Sequence, residues 1–149
     1  MHWQDYGFSE LTTKQLYQLL KCRVDIFVVE QNCPYPELDN KDDLPTTRHL
    51  LGTDEQGDIQ AYARILAPGV SYADASIGRV LVLASARGQG IAAQLMRQAI
   101  EVSRCYWPEE HIQIGAQAHL KGFYQAQGFK QVSDIYLEDD IPHIDMLLA

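Results

Sequence analysis

Two periods of apolar residues alternate along this chain, and each change of period marks an element. Residues 2–8 carry Trp3, Tyr6 and Phe8 in a short edge-strand pattern. Thr12 or Thr13 then stands as N-cap to a helix with Leu16, Leu19, Leu20, Arg23 and Phe27 near one face. That helix cannot pass Gln31-Asn-Cys-Pro-Tyr-Pro36, because each proline removes a donor and restricts its predecessor. His49–Thr53 and Ile59–Leu66 flank the turn sequence Asp54-Glu-Gln-Gly-Asp58 and read as a hairpin, with Tyr62 and Arg64 on one face. Ser76–Leu83 is the next strand, and a helix follows from about Gly90 to Tyr106 with Ile91, Leu95, Ala99 and Val102 aligned. His111–Ala116 alternates as a strand, and a helix over about Leu120–Gln127 is closed by Gly128. Residues 130–138 and 143–148 form a last pair of strands. The order β, α, β, β, β, α, β, α, β, β predicts an α/β (α+β) fold, a central mixed sheet with helices packed on it. No repeat or linker divides residues 1–149, which read as a single domain.

One junction in this pattern carries chemistry. The apolar run Val80–Leu83 leads through a turn into Arg87-Gly-Gln-Gly-Ile-Ala92 and then a helix. Two glycines let backbone approach a ligand closely, and the free N–H groups of a helix start favour anions. It is not a P-loop, since no Gly-Lys-Ser/Thr follows, and Ala93 stands where a dinucleotide fingerprint needs glycine.

This turn resembles motif A of the GNAT N-acetyltransferases, Arg/Gln-x-x-Gly-x-Gly/Ala, through Arg87, Gly90 and Ala92. Phe123-Tyr-Gln-Ala-Gln-Gly-Phe129 resembles the family's motif B. With Phe27-Val-Val-Glu-Gln-Asn-Cys-Pro-Tyr35 and Ile141-Pro-His-Ile144, the likeness extends over nearly the whole length, toward the family's ElaA-type branch. The resemblance implies the splayed GNAT sheet, in which the strands before the two motifs diverge around a pantetheine arm. It implies acetyl-CoA as acyl donor, with its pyrophosphate on Arg87, Gly88, Gln89, Gly90, Ile91 and Ala92. Backbone of the strand Val80–Leu83, with Leu81, Val82 and Leu83 foremost, would meet the pantetheine and thioester, and Tyr124 would protonate the departing thiolate.

Composition bounds the partners. A net charge of −8, with twelve scattered Lys and Arg, excludes a nucleic-acid surface and favours cationic acceptors such as amines. No apolar run approaches ~18 residues, and no apolar leader follows Met1, so the expectation is a cytoplasmic protein without membrane contact. Cys22, Cys33 and Cys105 form no spaced motif, which agrees with a reducing setting and disfavours a covalent route. Residues 37–47, with Glu37, Asp39, Asp42 and Asp43, lack the EF-hand spacing and read as a solvated loop. No metal-ligand pattern occurs, and no metal is expected.

Acetyl transfer to a primary amine of a small molecule or peptide also needs a base. Ala75–Arg79 offers no carboxylate where many relatives carry one, and Ala116 stands where an asparagine commonly contacts the cofactor. Glu30, at the end of an apolar run, is a candidate whose pKa desolvation would raise. His119, just before the motif B helix, is another; His49 and His143 rank behind both. Arg23, Arg64 and Arg79 lie in apolar contexts and need partners. They either pair with Glu30, Asp39 or Asp145 inside the fold or, like Glu30, face the acceptor. Direct transfer in a ternary complex is the reading. The alternatives left open are a catalytically degenerate CoA-binding sensor and an interaction module binding basic proteins through its acidic loops. Oligomeric state, a homodimer included, is not legible here.

Overall fold

The computed structural model describes residues 1–149. Its strands are β1 (His2–Gly7), β2 (Arg48–Thr53), β3 (Ile59–Leu66), β4 (Ala75–Val82), β5 (Ile112–Gln117), β6 (Lys130–Gln131), β7 (Tyr136–Glu138) and β8 (Ile141–Leu148). The helices are α1 (Thr13–Arg23), α2 (Ile91–Tyr106) and α3 (Lys121–Ala126). One sheet runs β1-β2-β3-β4-β5-β8-β6, with β7 also on β8, and only β4–β5 is parallel. This is the mixed, helix-flanked sheet that the hydrophobic pattern predicts.

Period-two alternation assigns the two faces. Leu50, Ala61, Ala63 and Ile65 pack with Ile91, Leu95, Met96 and Ala99 of α2. Their neighbours Leu51 and Tyr62 point the other way, against Leu19 of α1 and Ile26. Thr12 is the N-cap of α1: its hydroxyl accepts from Gln15 N at 3.1 Å, and Gln15 Oε1 takes the Thr12 N–H at 2.9 Å. Gly128, at φ +102°, ends the α3 region as expected. Two expectations change. The long strand expected over 130–138 is two short ones, and Asp139 and Asp140, at φ +51° and +62°, make the two-residue turn from β7 into β8. The first helix changes at Arg23 into a π-helical stretch, Val24–Glu30, which carries Phe27 and Val28 to the wall of a cleft.

Three of the four acidic side chains in the 37–47 loop are paired rather than solvated, and only Asp43 stays exposed. Glu37 Oε2 accepts from Arg23 Nε at 2.8 Å and from Arg79 Nε at 2.7 Å. Asp39 takes Arg64 through both oxygens at 2.8 Å, and Asp42 joins Arg23 to Arg64. His49 completes the cluster. Its Nε2 donates to the Asp42 carbonyl at 2.8 Å, so Nδ1 accepts from the Tyr62 hydroxyl at 2.6 Å. Burial keeps this imidazole neutral and sealed from any substrate, which removes His49 from the candidate bases.

Arg23 has no exposed surface, so loss of one of its anions strands a buried charge. Asp42→Ala is expected to cost about 3–5 kcal/mol of unfolding free energy in a urea titration. Burial alone would raise Asp39, but Arg64 and Arg79 hold it at about 2. The unfolded chain, with Asp near ~3.9, then takes up protons first as pH falls. This stabilisation is therefore complete above ~pH 5 and drains away between about pH 4 and 2. Thermal melts across that range should show the loss, and Asp39→Asn should flatten it.

Candidate active site

Strands β4 and β5 pair only at Ala75–Ile112 and Ser76–Gln113, and then part. Divergence begins where β4 bulges. Tyr62 faces Leu81 and Arg64 faces Gly78, so Arg79 and Val80 together oppose one β3 residue. Arg79 sits at φ +51°, a costly region for a residue with a side chain, and its guanidinium is anchored on Glu37. The opening widens into a cleft of about 450 Å³ lined by Phe27, Gly78, Val80, Gly115, His119 and Tyr124 among others.

Beyond the bulge, antiparallel alternation decides which backbone faces the split. Leu83 N donates to Gln60 O at 2.9 Å, so its group belongs to β3. Leu81, two residues earlier on the same ladder, is likewise committed to Tyr62. Only Val82, and Val80 before it, turn their polar backbone toward the gap. Of the strand Val80–Leu83, Leu81 and Leu83 are thus bonded to β3, and Val80 and Val82 face the split.

The turn after β4 is an open cradle. Gly88 and Gly90 sit at φ +81° and +74°, and a Cβ on either would meet nothing within 4 Å. The N–H groups of Gly88, Gln89 and Gly90 donate to no protein acceptor, and α2 begins at Ile91 with no side-chain cap. Gly88, Gln89, Gly90, Ile91 and Ala92 thus present a run of backbone with the positive end of a sixteen-residue helix behind it. Arg87 flanks this cradle. Its Nε donates to Val82 O at 2.9 Å, and its two Nη atoms grip Glu30 at 2.7 and 2.9 Å.

The residues expected to carry acceptor chemistry separate. Tyr124 lies at the cleft, edge-on to Phe123 and Phe129 with centroids at 5.0 and 6.1 Å. Burial alone pushes its phenol up to about 12, so it stays protonated. His119, exposed in the turn before α3, lines the same cleft. Glu30 does not line it. Its carboxylate is half exposed, and the Arg87 hydrogen bonds lower its pKa, the opposite of the desolvation expected for a base. Arg23 is sealed in the charge cluster and touches no acceptor. Arg64 and Arg79 reach the cleft wall already paired inside the fold, Arg64 to Asp39 as one of the expected partners and Arg79 to Glu37 instead of Glu30 or Asp145. No trio of metal-ligating side chains converges in the molecule, and no helix is long and apolar enough to cross a membrane.

A sequence model of the acetyltransferase (GNAT) domain matches residues 37–149. The chain belongs to the GNAT family. Among relatives of this GNAT protein is Protein ElaA of Escherichia coli K12, 45% identical over 98% of this chain and 95% of that protein. The crystal structure of Escherichia coli ElaA superposes with a TM-score of 0.93 at 44% identity over 99% of both chains. An acyl-CoA N-acyltransferase from Pseudomonas aeruginosa superposes with a TM-score of 0.94 at 42% identity, again over 99% of both. Family membership implies acyl transfer from an acyl-CoA to an acceptor. Sequence reasoning missed Tyr72, which lines the cleft, and Tyr136 and Asp145, which meet it at Gly115, because their convergence depends on strand register and on loops distant in sequence.

Glu30 occupies the guanidinium that a diphosphate on the cradle would draw. Glu30→Gln should therefore tighten acyl-CoA binding severalfold by calorimetry, with only a small change in Tm because both partners are half exposed. Unchanged or weaker affinity would show that Arg87 does not serve the ligand.

Proposed function

We propose that this chain is an acetyl-CoA-dependent N-acetyltransferase, acting as one domain in the cytoplasm on a primary amine of a small molecule or peptide. The observation that carries the reading is the parted β4–β5 pair, which leads from a tyrosine-lined cleft to a glycine cradle of unpaired N–H groups. Arg87 to Ala92 fit a diphosphate, since donors, helix terminus and open space coincide there. The donor supplies a thioester whose carbonyl is open to nitrogen attack.

The rest is the chain's own work. The Val80 and Val82 amides, turned into the gap by the bulge, orient the acyl arm and offer hydrogen bonds to its carbonyl. Such oxyanion donors contribute about 3–4 kcal/mol each to a transition state. Both substrates meet in the cleft, and the amine nitrogen attacks directly. Cys22 and Cys33 are poor nucleophiles because burial raises their thiol pKa values, which agrees with transfer in a ternary complex. Tyr124, protonated and facing the cleft, gives its proton to the leaving sulfur.

Thermal shift with acetyl-CoA tests the donor. At ~100 times its dissociation constant the ligand should add about 2.7 kcal/mol of apparent stability. The shift should vanish in Gly90→Asp, which puts bulk and negative charge in the cradle. No shift at saturation would overturn the reading. Tyr124→Phe should retain the shift while kcat for an amine falls about 10²-fold or more. Binding without turnover across an amine panel would instead identify a CoA sensor.

A further inference from the structure

Four acidic residues line the cleft: Glu37 and Asp39, and the exposed Glu138 and Asp139 at the β7–β8 turn. Glu37 and Asp39 are each charge-paired to guanidiniums, and Glu30 is held by Arg87. Asp145 of β8 is different, for it is partly buried, makes no salt bridge and sits opposite Gly115 in the β5–β8 register. Gly115 lies on the bank of the split, two residues past the last β4–β5 pair. Three oxygens crowd its missing side chain. A Cβ there would meet the Tyr72 hydroxyl at 3.0 Å, the Tyr136 hydroxyl at 3.2 Å and Asp145 Oδ1 at 3.9 Å. Tyr136 donates to Asp145 Oδ1 at 2.6 Å, and Gln113 Nε2 lies 3.5 Å from Oδ2. Tyr72, from the β3–β4 loop, and Gly115 both line the cleft.

Resting on the acyltransfer reading above, we propose that Asp145 is the terminal proton acceptor for the attacking amine, reached through Tyr136 and Tyr72. The acceptor arrives as an ammonium, and one of its protons passes to Tyr72 Oη, which frees the nitrogen lone pair. The Tyr72 proton moves to Tyr136 Oη, and the Tyr136 proton moves to Asp145 Oδ1. Both phenols end neutral and the carboxylate becomes a carboxylic acid. The freed amine then forms the C–N bond, the C–S electron pair leaves with sulfur, which Tyr124 protonates, and the second nitrogen proton restores the Tyr124 hydroxyl. Asp145 then returns its proton to solvent.

The surroundings suit a relay of neutral hydroxyls. Burial raises both phenol pKa values, and the Asp145 charge adds to this at each, so Tyr72 and Tyr136 keep their protons at neutral pH. Glu138 of β7 adds negative charge nearby, and His143 of β8 stacks on Tyr136 at 6.1 Å. His143 also lines the cleft, with its Nδ1 2.7 Å from the Ile141 carbonyl and its Nε2 3.4 Å from Glu138, and its ring backs Tyr136. Gly115 is the residue type the relay needs, since any side chain there would displace both hydroxyls.

The test uses acetyl-CoA with two probe nucleophiles at pH 8, measured above the uncatalysed background. Ethylamine must lose a proton to become a nucleophile, whereas hydroxylamine is already unprotonated. Asp145→Asn, Tyr136→Phe and Tyr72→Phe should each keep the wild-type thermal shift with acetyl-CoA. Their kcat for ethylamine should fall about 10²-fold, with transfer to hydroxylamine within a few-fold of wild type. Tyr136→Phe and Tyr72→Phe remove only a hydroxyl, so they carry the test if Asp145→Asn folds poorly. Equal losses for the two nucleophiles, or no loss for either, would overturn the relay and leave the donor reading standing. So would a wild type that binds acetyl-CoA but transfers to neither probe. A wild type that shows no shift with acetyl-CoA would overturn the function and the relay together.

Discussion

Arg23 cannot be hydrated where it lies, and much of the molecule follows from that constraint. Its guanidinium has no exposed surface, and it shares the anions Glu37 and Asp42 with Arg79 and Arg64. Interior charges in such positions require nearby anions, and a loop that supplies three of them has one place to go. The chain between the π-helical stretch and β2 is therefore drawn over the α1 end of the sheet as a fixed wall. Ion clusters of this kind contribute little net stability against an apolar substitute, yet breaking one is costly. What this cluster confers is placement.

The same cluster reaches the chemistry through Arg79. Its backbone lies in the left-handed region without the excuse of a missing side chain, and Glu37 holds its far end. Were β4 regular, β3 and β4 would stay in step, and the groups that face the gap would shift by one residue. The bulge sets that parity, so Val80 and Val82 meet the split while Leu81 and Leu83 stay bonded to β3. An acidic loop on one side of the cleft thus secures the backbone geometry on the other.

What could be read from the sequence divides along the same line. The helices, the hairpin, the strand before the cradle and the cradle itself are local patterns of apolar period, glycine and proline, and the structure has them within a few residues. The partners of the three arginines join residues 14 to 42 apart in sequence, and no periodicity marks such a pair. Parity on β4 was illegible because an alternation pattern gives faces, not the bulge that shifts the ladder. Glu30 misled for a related reason: it ends an apolar run, as a desolvated carboxylate would, yet the helix turns it outward to Arg87.

Donor and acceptor sides of the cleft therefore differ in how they are built. The side proposed for the donor is backbone: N–H groups at Gly88–Gly90 and the amides of β4, arranged by one continuous stretch of chain. Backbone recognition depends on conformation more than on side-chain identity, so a short glycine pattern suffices to specify it and to reveal it. The acceptor side is side chains brought from the β3–β4 loop, β5, β7 and β8, with Gly115 leaving the space in which Tyr72, Tyr136 and Asp145 meet. These side chains lie apart from the cradle, which is built from the turn between β4 and α2. A fold built this way can hold one acyl donor constant while its acceptor chemistry is rewritten residue by residue. The residues that distinguish this chain from others of its family are then to be sought on the β5–β8 bank, not in the turn that identifies it.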